Sequence, residues 1–215
     1  MEAIGVIADL YWKPAYKYIR LKWRRSEEDA MDDTQDFFAH LLDRNLLARW
    51  DPARASFRTY LRLSIDGHVK NRLTADARLK RGGGAHHFEQ MDFSGAEQEL
   101  SLADPAANPE EIFHREWQRQ VFQSAIADLR REHGESARFK VFEQYDLAPD
   151  PDLRPSYDEI ARQNEIPVTS VTNHLAWARR ELRKRVLEVL TRTTGGDSEL
   201  RRETRALFDP SGGPR

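Results

Sequence analysis

Apolar and aromatic residues recur at intervals of three and four through most of the chain, the period of a helix with one buried face. The first 81 residues read as helical throughout, with Pro14 expected near a helix start and Asp51-Pro52 breaking the run. Within them Phe57, Leu61, Ile65, Val69 and Leu73 follow one another every four positions, which predicts a single core stripe. The pattern resumes from about Glu110 to Leu129 and again from Phe139 to Tyr145. Leu147 to Pro155 holds three prolines and two aspartates and reads as a loop. A compact pair of helices then runs from Ser156 to about Thr191. No segment alternates convincingly with the period of a strand, so the fold expected is all-α.

Two stretches lose the pattern. Residues 82–110 open on Gly82-Gly83-Gly84 and close on Asp104-Pro105 and Asn108-Pro109, with small or acidic residues between. They read as a flexible acidic linker with a short helical piece at Ala96 to Leu102. Residues 192–215 form a tail with one short helix expected from Glu199 to Leu207. Two small helical domains, 1–81 and 111–191, follow from this division. There are no internal repeats.

Composition narrows the picture. Of 215 residues, 39% are hydrophobic and 33% charged, a balance that suits small linked domains better than one thick core. No apolar run approaches the length of a bilayer span, so no membrane insertion is expected. The opening MEAIGVIADLYWK lacks the basic and long apolar regions of a secretory signal. Absence of cysteine excludes disulfides, thiolate zinc sites and cysteine nucleophiles. A cytoplasmic protein is the expectation. The net charge of −2 conceals segregation, with acid crowded at Glu27 to Asp36 and base at Arg54 to Arg81 and Arg179 to Arg185.

Asp29, Asp32, Asp33 and Asp36 are spaced to share one helix face, with Ala30, Thr34, Phe37 and Leu41 roughly opposite. Each like-charged pair costs about 0.2–0.5 kcal/mol, which a basic partner surface would turn into a gain. A plain solvated face is the alternative, and four exposed aspartates make a poor metal cage. From Phe57 to Arg81 the apolar stripe is flanked by Arg54, Arg58, Arg62, Lys70, Arg72, Arg78, Lys80 and Arg81, with Tyr60, His68 and Asn71 among them. Cations attract phosphates, and aromatic or amide groups can stack on or read an unpaired base. Basic amphipathic helices also bind membranes and acidic proteins, so this helix alone leaves the partner open.

The strongest local signal is the segment from Ser156 to Arg183. Ser156 followed by Glu159 predicts a capping box. Ile160 and Ala161 face inward, Ile166 plugs a turn, and Val171, Leu175, Ala178 and Leu182 stripe a second helix. Its outward positions are Ser170, Thr172, Asn173, His174 and Trp177, and Arg179, Arg180 and Arg183 follow where phosphates could be gripped. That is the pattern of a helix-turn-helix whose second helix lies in a major groove. A structural helical hairpin is the bland reading. No nucleophile stands with a base, no loop cradles phosphate, and His86-His87 reads as a solvated pair, so no enzyme activity, metal or cofactor is expected.

Taken in order, these pieces resemble an extracytoplasmic-function sigma factor over about residues 8–190. Leu10-Tyr-Trp-Lys-Pro-Ala-Tyr-Lys-Tyr-Ile looks like that family's opening helix. Glu28-Asp-Ala-Met-Asp-Asp-Thr-Gln-Asp-Phe-Phe is similar to its "EDAED-TQ-x-x-F" signature. The resemblance implies that Asp29, Asp32, Asp33, Gln35 and Asp36 dock on the β′ clamp of core RNA polymerase. It implies that the segment carrying Arg58, Tyr60, Arg62, His68, Lys70, Asn71 and Arg78 opens and captures the promoter −10 element. The helix-turn-helix would read the −35 element and rest on the β flap, and the acidic linker would thread a basic channel. An anti-sigma factor is a further partner the family admits. Ile65-Asp66-Gly67 stands where members often carry asparagine, Glu165 replaces the usual turn glycine, and residues 191–215 extend past the usual end. Two regulatory ideas follow: phosphorylation of Thr34, and a tail that folds back on a domain.

Overall fold

A computed structural model describes residues 2–43, 46–76, 91–101 and 107–208. The fold is all-helical. Its elements are α1 (Glu2–Lys22), α2 (Glu27–Asp43), α3 (Phe57–Asp76), α4 (Phe93–Ser101), α5 (Pro109–His133), α6 (Ala137–Tyr145), α7 (Tyr157–Gln163), α8 (Val168–Thr193) and α9 (Asp197–Phe208). Single 3-10 turns stand at Leu46–Arg49 and Pro151–Leu153. Two compact units emerge, Met1–Gln120 with Leu190–Arg215, and Val121–Val189. The division falls inside α5 and α8, and both the segment read as a linker and the tail contribute helices to the first unit.

The first unit buries one face each of α2 and α3 and nearly the whole girth of α1 from Leu10 to Ile19. Leu10, Tyr11, Trp12, Tyr16, Tyr18 and Ile19 of α1 join Phe37, Phe38 and Leu41 of α2 and Phe57, Leu61, Ile65 and Val69 of α3. The α3 stripe ends at Val69, because Leu73 is 37% exposed rather than in the core. Pro14 lies inside α1, not at its start. Its missing N–H and ring clash cost about 3 kcal/mol. Burial of the flanking apolar side chains, each contributing roughly 1.5–3 kcal/mol, outweighs that cost and carries the helix through. Asp66 ties α3 to α1, accepting from Tyr18 Oη at 3.1 Å, Lys22 Nζ at 3.1 Å and Trp23 Nε1 at 3.0 Å.

Helix α4 packs on α1 through Phe93, whose ring meets Trp12 and Tyr16 edge-on at 5.2 and 5.1 Å. Asp92 starts the helix by accepting from the Gly95 amide at 3.0 Å. The acidic residues of α4 answer basic ones of α1. Tyr16 Oη donates to Glu97 at 2.7 Å, Arg20 pairs with Glu97, and Lys17 Nζ lies 2.7 Å from both Glu99 and Glu116. The Arg20 hydrogen bond, against the opposing effect of burial, holds the Glu97 carboxyl below its usual range. Helix α5 starts at Pro109, its first turn capped by Asn108 Oδ1 accepting from Glu110 N at 2.9 Å.

The second unit has two adjoining apolar clusters. Val141, Ile160, Ala161, Val171 and Leu175 form one, with Tyr145, Tyr157 and Ile166 packed against it. Leu129, Phe139, Phe142 and Ala178 form the other, with Leu147, Trp177 and Leu182 at its edge. Ser156 and Glu159 make the expected capping box, Glu159 N donating to Ser156 Oγ at 3.3 Å and Ser156 N to Glu159 Oε2 at 2.7 Å. Glu165, between α7 and α8, adopts φ 54°, the left-handed region that glycine occupies without a Cβ penalty. None of the helices among the described residues is long and apolar enough to cross a membrane.

Candidate nucleic-acid and partner interfaces

The acidic face of α2 is less open than its spacing suggests. Asp29 and Asp32 are exposed, as are Glu27 and Glu28 before them. Asp33 is fully buried, and Gln35 is 5% exposed. Asp33 accepts from Arg25 Nε at 2.8 Å and faces Arg72 Nε at 3.0 Å, while Asp36 accepts from Arg72 at 2.9 Å. Burial raises the Asp33 carboxyl above its ordinary range, against the pull of Arg72 and Arg25. Thr34 is buried too, its hydroxyl donating to the Ala30 carbonyl at 2.6 Å, so a kinase could not reach it in this fold. The face therefore divides into an exposed forward end and a rear fixed to α3.

Ligand atoms of Asp36, His40 and His68 lie within 4.8 Å of one another. The geometry is close enough for a divalent cation, but the Asp36 carboxylate is already shared with the Arg72 guanidinium. His40 Nδ1 is 2.8 Å from the Asp36 carbonyl, and the His68 ring packs edge-on against Phe37. His86 and His87 lie outside the described residues.

Along α3 the sequence-predicted nucleic-acid residues separate into two groups. At its start the guanidinium of Arg58 stacks on Trp117 at 4.2 Å, contacts His114 and pairs with Glu203 at 3.5 Å. Arg62 pairs with Glu110, and Tyr60 Oη donates to the Leu46 carbonyl at 2.6 Å. Burial, with help from the neighbouring Arg58 charge, lowers His114 to about 4. Farther along, Lys70 and Asn71 are exposed, whereas His68 is half-buried toward α2. Arg78 lies outside the described residues.

In the second unit the first turns of α8 present Thr172 and Asn173 to solvent, with Ser170 and His174 half-buried beside them. Burial and then the Arg138 charge lower the His174 imidazole below its usual value. Trp177 does not point outward as its position predicts. It packs at the edge of the second cluster, meeting His133 edge-on at 5.0 Å, with the Arg138 guanidinium 5.3 Å from its ring. Arg179 is held by both oxygens of Asp146 at 2.8 and 2.9 Å, a bidentate pair that joins α8 to the end of α6. Arg180 and Arg183 are exposed. The α8 surface thus offers hydroxyl and amide groups followed by guanidinium groups, the order needed to meet base edges and then a phosphate chain.

Sequence reasoning missed Glu199 and Glu203. Both are buried on α9 and reach back to the start of α3, where Phe57 N donates to Glu199 Oε1 at 2.6 Å. Local periodicity has no means of pairing residues 142 positions apart. The one available signal was that α9 carries carboxylates on the same face as Leu207. No protein-family model, curated protein or solved structure matches this chain.

Proposed function

We propose that the chain is an alternative sigma factor of the extracytoplasmic-function type, binding core RNA polymerase and directing initiation at particular promoters without catalysing a reaction itself. The single observation that carries this reading is the exposed row of α8. Thr172 and Asn173, followed by Arg180 and Arg183, stand on a short two-helix unit braced by Ile160, Ala161, Val171 and Leu175. Such a row suits base contacts in a major groove, with the arginines fixing register on phosphates. The exposed end of α2, with Glu27, Glu28, Asp29 and Asp32, suits docking on a basic helical surface of the polymerase clamp. Exposed Lys70 and Asn71 of α3 suit contact with the −10 strand.

A second reading, a DNA-binding regulator working without polymerase, is favoured by one observation. Arg58 and Arg62 are neutralised within their own unit by Glu203 and Glu110, which leaves α8 as the more open cationic surface. Run-off transcription with purified core polymerase on genomic fragments separates the two. The sigma reading expects specific transcripts and a stable complex with core. Tight duplex binding with neither transcripts nor complex would establish the regulator instead.

A further inference from the structure

The start of α3 is covered by a helix that supplies negative charge where a nucleic-acid strand would. Glu199 of α9 accepts from the Phe57 amide at 2.6 Å and from the Gly195 amide at 2.8 Å, so its carboxylate sits on the positive end of a 20-residue helix. One turn later Glu203 lies 3.5 Å from Arg58 with its side chain 5% exposed. Ser56 Oγ already accepts from Thr59 N at 3.2 Å, so the Phe57 amide, with the Arg58 guanidinium beside it, is what this helix start offers an anion. The Arg58 guanidinium also lies over the Trp117 ring, 4.2 Å from its centroid, a contact that does not depend on the carboxylate.

We propose that α9 stands in for the phosphate chain of a nucleic-acid strand, and that the surface beneath it binds such a strand once α9 lifts. The inference rests on the nucleic-acid part of the function proposed above and adds a control on the −10-binding helix. Helix α9 is built for exchange. Its buried positions are Glu199, Glu203 and Leu207, two carboxylates and one apolar side chain, so little apolar area holds it down. Phe208 at its end is 41% exposed. Burial raises the Glu203 carboxyl above its ordinary range despite Arg58, which marks a charge that is imperfectly compensated where it lies. An incoming phosphodiester replaces both carboxylates with groups of the same sign, whose two non-bridging oxygens can accept from the same amide and guanidinium. Two further bonds retain α9 without touching the anion site: Arg202 donates to the Pro52 carbonyl at 2.9 Å, and Gln118 to the Ala206 carbonyl at 3.1 Å.

The test uses the full chain and a fluorescein-labelled oligothymidylate strand, read by anisotropy, with polyglutamate as the competing acidic polymer. Apparent affinity scales with the fraction of molecules whose site is open, so the Glu199→Gln/Glu203→Gln variant should bind the strand about tenfold more tightly. Adding Arg58→Gln should abolish that gain. Unchanged affinity in a variant with native circular dichroism, a gain that survives Arg58→Gln, or preference for polyglutamate over the strand would each overturn the proposal. Should the double carboxamide variant not fold, Arg202→Ala/Gln118→Ala decides, with about a threefold gain expected and no gain sinking the idea. The two readings fail separately. Tighter strand binding without specific transcripts removes only the sigma assignment, whereas specific transcripts with unaltered strand binding remove only the role of α9.

Discussion

Both units pair much of their charge internally, but they do so over different distances in the sequence. In the first, the acidic and basic blocks mostly neutralise one another: Asp33 and Asp36 with Arg25 and Arg72, Glu97 and Glu99 with Arg20 and Lys17, Glu203 with Arg58. In the second, Arg179 is held by Asp146 and Arg185 by Glu132 and Glu188, while Arg180 and Arg183 are exposed on the same helix as Thr172 and Asn173. A run of like charge in sequence therefore says nothing by itself about display. What decides is whether a neighbouring helix carries the opposite charge at matching height, as α4 does for α1.

That contrast can be broken most forcefully at Asp33. Replacing it by alanine leaves Arg25 with Asp29 and Arg72 with Asp36 as their remaining partners, and losing the hydrogen bonds of a charged group costs about 1.5–3 kcal/mol. Urea denaturation should show a loss of this size, and a loss below about 1 kcal/mol would mean that water reaches the site. At α8 the same kind of experiment should leave stability alone. Thr172→Ala with Asn173→Ala should shift the urea midpoint little and weaken promoter duplex binding by about 1–3 kcal/mol for each base that is no longer read. A stability loss without a binding loss would reverse the contrast between the units.

Asp66→Ala removes the shared acceptor of Tyr18, Lys22 and Trp23 and should cost about 1–3 kcal/mol by the same denaturation assay. The acid side of the stability profile tests His114. The fold favours its neutral ring, so the unfolded chain takes up the proton first as pH falls below 6.5. This contribution is whole above 6.5 and is lost progressively down to about 4, and His114→Gln should flatten the profile across that window. The smallest effect is expected at the α7–α8 turn. Glu165→Gly relieves a left-handed residue and should stabilise by about 0.5–1 kcal/mol, visible as a higher melting temperature.

The all-helical class and much of the second unit were legible because their determinants are local. The Ser156–Glu159 capping box needs residues three apart, and the inward set Ile160, Ala161, Val171 and Leu175 follows helical period across one short turn. The first unit hid more, because its determinants join distant residues. Tyr16 to Glu97 spans 81 positions and Lys17 to Glu116 spans 99, so nothing in the pattern of 82–110 announced that its acids would bind α1. Periodicity likewise put Leu73 in the core and Trp177 outside. Leu73 is instead 37% exposed, and Trp177 packs at the edge of the second cluster with its ring against His133. At the candidate site the residue types were readable, but which arginines were already engaged was not.

Lys17 gives the docked α4 segment a practical consequence. It is held by Glu99 of α4 and Glu116 of α5 with its own side chain only 6% exposed. Any basic channel that draws the acidic segment out must therefore act as a counter-ion exchanger, taking Glu97 and Glu99 from cations that already own them. Added salt would weaken the donor and the acceptor surfaces together, leaving the exchange far less sensitive to ionic strength than the binding of a free acidic strand.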